Sequence, residues 1–124
     1  MPKQGFRESD RQVRVPPSVL YKMGYSQPMK QLEKTDEFAV WFESLSDRQV
    51  RARIQVRIDR LQDGNPGDVA PVGAGVSELR LHFGSGWRVY YTERGGVLVI
   101  LLAGGPKSSQ AKDIQTALRL AQNL

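Results

Sequence analysis

Four residues that can handle phosphate and protons recur at alternate positions in this 124-residue chain: Arg80 and His82 in one short stretch, Arg88 and Tyr90 in the next. Both stretches alternate apolar with polar residues, and Gly84-Ser85-Gly86 separates them, so they read as an antiparallel hairpin. A three-residue loop there sets Phe83 against Trp87, Leu81 against Val89 and Leu79 against Tyr91 on one apolar face. The other face then carries His82 against Arg88 and Arg80 against Tyr90, with Glu78 as a lone carboxylate at its edge. Two guanidinium groups, an imidazole and a phenol suit a phosphate, which takes paired hydrogen bonds from arginine, and bases that stack on flat side chains. The same composition also suits a solvated sheet face. The imidazole can move a proton near neutral pH, but His82 has no obvious orienting acid.

Lys107 joins this set by position. It lies just before a helix start, where Ser108, Ser109 and unpaired backbone N–H groups can receive an anion. The surrounding Gly104-Gly105-Pro106-Lys107-Ser108 is not a nucleotide-binding loop, because Pro106 stands where the Walker motif needs glycine and the earlier glycine spacing is wrong. With no cysteine, one histidine and no carboxylates at ligand spacing, the residues give no thiol chemistry and no metal site, and no cofactor motif is present. No Ser-His-Asp or paired-carboxylate arrangement can be assembled either.

The longest apolar run, residues 97–103, is too short to span a bilayer, so a soluble, cytoplasmic protein with no membrane partner is expected. The formal charge is +5. Residues 1–28 hold five cations and two anions, whereas residues 29–124 hold thirteen and eleven, so the excess sits mostly on the first segment. Bulk charge is therefore a weaker pointer to nucleic acid than the placement of particular arginines.

Residues 1–28 have Pro2, Pro16, Pro17 and Pro28, scattered charge and no sustained period, and read as an irregular N-terminal extension that need not be native to the domain. One domain is expected over residues 29–124. Residues 29–34 form a short strand. Thr35 caps a helix whose buried face is Phe38, Trp41, Phe42 and Leu45, with Asp36 and Glu37 in its first turn. Ser46 and Gln49 have capping-box spacing for a second helix that runs to about Asp63 and stops at Gly64. Its apolar stripe is Val50, Ile54, Ile58 and Leu61, and its other side carries Arg48, Arg51, Arg53, Arg57 and Arg60. That basic side reads as a solvated surface or as a long-range attractor of RNA or an acidic partner. Residues 65–77, with two prolines and three glycines, read as a long irregular connection. Strands over residues 78–83, 87–92 and 97–103 follow, the last apolar throughout as in a central strand, and Gly104-Gly105-Pro106 ends it. Ser109 caps a final helix burying Ile114, Ala117, Leu118 and Ala121. The order predicts an α+β fold with a mostly antiparallel sheet of about four strands, a helical hairpin and a C-terminal helix.

Several separated motifs, in order, resemble the RelE/ParE superfamily of toxins, and more narrowly the addiction-module killer or HigB-like branch. They include Phe38-Ala39-Val40-Trp41-Phe42, Gly64-Asn65-Pro66-Gly67-Asp68-Val69, Val76-Ser77-Glu78-Leu79-Arg80, Gly86-Trp87-Arg88-Val89-Tyr90-Tyr91 and Gly104-Gly105-Pro106-Lys107-Ser108. The resemblance implies a RelE-like fold and the toxin of a type II toxin–antitoxin module. It implies a metal-independent endoribonuclease that cuts mRNA on the ribosome and so inhibits translation. The implied partners are mRNA, the ribosome and a cognate antitoxin, in this branch commonly a helix-turn-helix DNA-binding protein. Carried onto this chain, the matching catalytic positions are Arg80, Arg88 and Lys107, with Tyr90 beside them to stack on or orient a base and His82 as a further candidate. Pro106 departs from the acidic residue usual before this lysine, and the N-terminal extension is atypical. A ParE-like inhibitor of DNA gyrase, or a non-catalytic protein-binding domain, remains open on the same fold.

Overall fold

The structure, a computed structural model, describes residues 29–124, so the reading of residues 1–28 as an extension lies outside the described residues. The elements are β1 (Gln31–Lys34), α1 (Asp36–Ser44), α2 (Arg48–Gln62), β2 (Val69–Gly73), β3 (Val76–Arg80), β4 (Arg88–Arg94), β5 (Leu98–Gly105) and α3 (Gln110–Gln122), the last preceded by a 3₁₀ turn over Lys107–Ser109. They form a five-stranded sheet in the order β1-β5-β4-β3-β2. Only the β1–β5 pair is parallel. The architecture is α+β, as expected, with one strand more.

The additional strand is β2, in the segment that reads as an irregular connection. Pro71 and Gly73 mask it, yet β2 is an edge strand, where a missing N–H need not break a ladder. It turns into β3 through Ala74 and Gly75, both at positive φ (49° and 78°), the two-residue geometry that matches the twist of a hairpin.

The helices cover both faces of the sheet. On one face, Phe38 of α1 and Ile54, Ile58 and Leu61 of α2 pack against Leu79, Leu81, Val89, Tyr91, Val99 and Leu101. On the other, Ala117 and Leu120 of α3 pack against Val76, Tyr90, Ile100, Leu102 and Ala103. Double coverage is why β5 is apolar along its whole length. Thr35 caps α1 as expected, its hydroxyl accepting from Phe38 N (3.0 Å) while donating to Leu102 O (2.7 Å). The cap of α2 is Asp47 rather than Ser46: its carboxylate accepts from Gln49 N and Val50 N, closer to the helix than a box led by Ser46 allows.

β5 does not end before its glycines. It continues through Gly105, and each glycine makes room on a different face. A Cβ on Gly104 would lie 2.2 Å from the Trp41 ring of α1, and one on Gly105 would lie 2.0 Å from an Asp113 carboxylate oxygen of α3.

The β3–β4 register also differs from the expected one. Arg80 pairs with Arg88, Leu79 with Val89 and Glu78 with Tyr90, because Leu81 N donates to Trp87 O and the loop is longer than three residues. The shift is by two, an even number, so every paired residue keeps its face and only its neighbours change.

Candidate active site

The face of β3 and β4 that holds Glu78, Arg80, Arg88 and Tyr90 is the face that α3 covers. The expected open polar surface is therefore an enclosed polar cluster with one exposed margin. Glu78 is 1% exposed and sits at its centre, not at an edge. One of its carboxylate oxygens accepts from Arg80 Nε (3.0 Å) and lies 3.7 Å from Arg88 Nε, and the other accepts from Gln110 Nε2 of α3 (2.6 Å). A buried carboxylate needs such partners.

Arg88 is 7% exposed and Tyr90 is fully buried. Arg88 Nε and the Tyr90 hydroxyl both lack a hydrogen-bond partner within the described residues. Burial, then the nearby carboxylates of Glu78 and Asp113, hold the Tyr90 phenol well above its ordinary value, so it stays neutral. With no face of its ring exposed, Tyr90 cannot stack on a base in this arrangement, contrary to the role expected from the sequence. Its place is under the site, as packing.

The exposed margin lies at the end of β3. Arg80 is about one-third exposed; its Nε is occupied by Glu78, while a terminal nitrogen lies 3.7 Å from Asp68 Oδ1, beyond hydrogen-bond reach. The other Asp68 oxygen is hydrogen-bonded to His82 Nε2. His82 is two-thirds exposed, and it does have an orienting acid after all. Asp68 is held below the usual carboxylate range, chiefly by that hydrogen bond and secondarily by the Arg80 charge. His82 is not opposite Arg88, as the three-residue loop would require; it lies beyond the paired residues, beside the start of β2.

Asp68 was missed because its partner is reached only through β2. Once Val69 pairs with Leu79, Asp68 falls beside Arg80, whose N–H donates to Asp68 O (3.0 Å). Arg57 locks this corner from α2. Its guanidinium donates to Arg80 O (2.5 Å), Pro66 O (2.9 Å) and Asp68 O (3.2 Å), and a Cβ on Gly67 would lie 3.2 Å from it. Arg57 is thus a strut between elements rather than part of a solvated basic side. Partial burial lowers its pKa, against the raising effect of Asp68.

Lys107 is exposed on the opposite flank of the β3–β4 loop. Its N–H donates to Ser85 O (3.1 Å) and its Cβ side lies against Gly86. The row Arg80, Arg88, Gly105 crosses three adjacent strands, about 10 Å at ordinary strand spacing, which brings Lys107 and Arg80 to one end of the sheet. The anion site expected at Ser108 and Ser109 is not formed. Ser109 makes no side-chain cap; its hydroxyl meets Asp113 Oδ2 (2.5 Å), and Ser109 N donates to Pro106 O. A carboxylate thus occupies the first turn of α3, where an anion was expected. Among the described residues, no three His, Asp or Glu side chains converge as metal ligands. No helix of the described residues is long and apolar enough to cross a membrane.

The margin combines an imidazole fixed by a carboxylate with a guanidinium whose terminal nitrogens make no hydrogen bond among the described residues, and Lys107 stands at the same end of the sheet, across the β3–β4 loop. This set can bind a phosphodiester and move a proton beside it.

Comparison with known proteins gives the frame. The fold matches a double arginine-to-alanine mutant of the E. coli toxin RelE in the free state, with a TM-score of 0.60, 13% identity, and coverage of 77% of this chain and 98% of that one. An uncharacterized protein of Haemophilus influenzae is 49% identical over 94 residues, which span 76% of this chain and 95% of that protein. Residues 40–124 match the family described as phage derived protein Gp49-like (DUF891). The structural likeness bears out the RelE-like fold expected from the motifs. The chain belongs to the Gp49-like family.

Proposed function

We propose that this protein is the toxin of a toxin–antitoxin pair and that it acts in the cytoplasm as an endoribonuclease on mRNA at the ribosome, held in check by a cognate antitoxin. The observation that carries the reading is the Asp68–His82 pair beside Arg80, an acid–base and phosphate-binding set at one exposed margin. The family and the RelE-like fold support it.

In this mechanism the RNA 2′-hydroxyl attacks its neighbouring phosphorus. The bond from the 2′-oxygen to phosphorus forms and the bond to the 5′-oxygen breaks, leaving a 2′,3′-cyclic phosphate and a free 5′-hydroxyl. With His82 Nε2 engaged by Asp68, the Nδ1 lone pair is the base that takes the 2′-hydroxyl proton. The free terminal groups of Arg80 stabilise charge developing on the phosphate oxygens, Lys107 holds a flanking phosphate, and solvent water protonates the leaving 5′-oxygen. Arg88 and Tyr90 lie beneath; Arg88 supports Arg80 through their shared contact with Glu78.

The test is transcript cleavage in a translation extract by the wild type, Arg80→Gln and His82→Gln. Cleavage by the wild type and its loss in both variants is expected. Intact transcripts accompanied by loss of DNA supercoiling would replace this reading with gyrase inhibition.

A further inference from the structure

Beside His82 a groove of about 370 Å³ opens between α2 and the end of β3. It is lined by Ala52, Arg53, Val56, Arg57, Arg60, Leu81, His82 and Phe83. Its floor is apolar, its rim carries arginines, and no carboxylate lines it among the described residues. The Arg53 guanidinium carbon lies 4.8 Å above the centre of the Phe83 ring, a stacked pair at the groove wall. Arg57 is committed to three backbone oxygens, which leaves Arg53 and Arg60 as the cations that can meet a ligand. Val56, 45% exposed, widens the apolar surface.

We propose that this groove is a nucleotide subsite for single-stranded RNA: one base lies on the Phe83–Arg53 wall and one phosphate is held by Arg53 and Arg60. The proposal rests on the ribonuclease reading only for its direction, since His82 faces both the groove and Asp68 and so joins the subsite to the scissile bond. Three features favour RNA over an acidic peptide. The volume is near the lower end of the range for small-ligand clefts, about 300–1,000 Å³, enough for a nucleotide. The Arg53–Phe83 pair is a flat platform of the kind bases stack on, and the continuity with His82 places an adjoining nucleotide at the reactive centre.

The experiment uses the full chain and a fluorescent 2′-O-methyl RNA 12-mer, which cannot be cleaved, with poly-glutamate of equal charge as the competing probe. Binding is followed by anisotropy across a salt series for the wild type, Arg53→Gln/Arg60→Gln and Phe83→Leu, and cleavage of ordinary RNA is measured in parallel. The double arginine variant is expected to weaken RNA binding about tenfold and to flatten the salt slope by about 0.7, the value for one lost phosphate contact on a single strand. Phe83→Leu is expected to weaken binding about tenfold through lost stacking, with little change in salt slope. Because the two arginine substitutions lie on the surface, they test the groove even if Phe83→Leu proves unstable. Unchanged RNA affinity and slope in the double variant overturn the proposal, and so does a groove that binds poly-glutamate in preference to RNA. Wild-type cleavage with no change in RNA binding by either variant removes the subsite and leaves the nuclease; groove-dependent binding without wild-type cleavage does the reverse.

Discussion

Asp68 and His82 stand fourteen residues apart in the chain, and a hydrogen bond between them closes the corner where β2 begins and β3 ends. The pair converts an exposed imidazole from a free rotor into an oriented one, because fixing Nε2 fixes which nitrogen faces the solvent. Asp68 acts through His82 and is a positioning residue.

Asp68→Asn keeps the shape and removes the charge. In the proposed mechanism kcat falls about 100-fold, within the range general acid–base catalysis contributes, while KM for RNA changes little. The stability readout has a defined sign. A carboxylate held below its ordinary value adds stability above the unfolded value of 3.8 and loses it as pH drops through the lower folded value. The wild type should therefore lose urea resistance below pH 4 more steeply than Asp68→Asn. Equal kcat in the two proteins at pH 7 would show that the Asp68 charge plays no part in catalysis.

Much of this margin was legible before the fold was known, and its limits have physical causes. Alternation over Glu78–Arg80 and Arg88–Tyr90 assigned faces correctly, because a register error of two leaves parity intact. Alternation says nothing about what covers a face. The polar set therefore looked open, although Ala117 and Leu120 of α3 lie across it and bury Tyr90. Asp68 was invisible for a different reason: its neighbours in space arrive through β2, and Pro71 and Gly73 hide that strand from any pattern of period two. Arg57 shares a helix side with Arg53 and Arg60, and only the carbonyls of Pro66, Asp68 and Arg80 reveal it as a strut.

Arg57→Lys is predicted to cost more than a conservative change suggests. A planar guanidinium serves three carbonyls from two directions; an ammonium on a flexible stem cannot reproduce that fork. A loss of about 2 kcal/mol is expected from hydrogen bonds to a charged donor, seen as a lower urea midpoint. The site should suffer alongside, with reduced kcat, because Arg57 holds the backbone of both Asp68 and Arg80. A variant with full stability and full activity would show that the strut is dispensable.

Tyr90→Phe separates packing from chemistry. The hydroxyl is buried without a partner in the described residues, so its removal is predicted to leave stability at pH 7 unchanged or to raise it by about 1 kcal/mol. RNA cleavage should persist, since the ring reaches no substrate. At alkaline pH the sign is fixed by the raised phenol: its stabilising contribution is complete below the unfolded value of 10 and is lost as pH climbs toward the folded one. Tyr91 is also raised by burial and contributes in the same direction in both proteins. Urea midpoints measured from pH 8 to pH 11.5 should thus fall less for Tyr90→Phe than for the wild type. Loss of cleavage with intact stability would return Tyr90 to the reacting centre.

Gly104 and Gly105 give the last prediction, because two neighbouring glycines face different obstacles. Gly104→Ala drives a methyl group into the Trp41 ring, which can yield only by disturbing its packing against Phe38, Phe42 and Trp87. A cost at the upper end of the overpacking range, about 3 kcal/mol, is expected. Gly105→Ala meets the end of the Asp113 side chain and the Ser109 hydroxyl, so the obstacle can be removed. The double variant Gly105→Ala/Asp113→Ala should recover most of the stability lost by Gly105→Ala alone, whereas Asp113→Ala should not rescue Gly104→Ala. Equal rescue of both would mean that the two glycines do not serve opposite faces of β5.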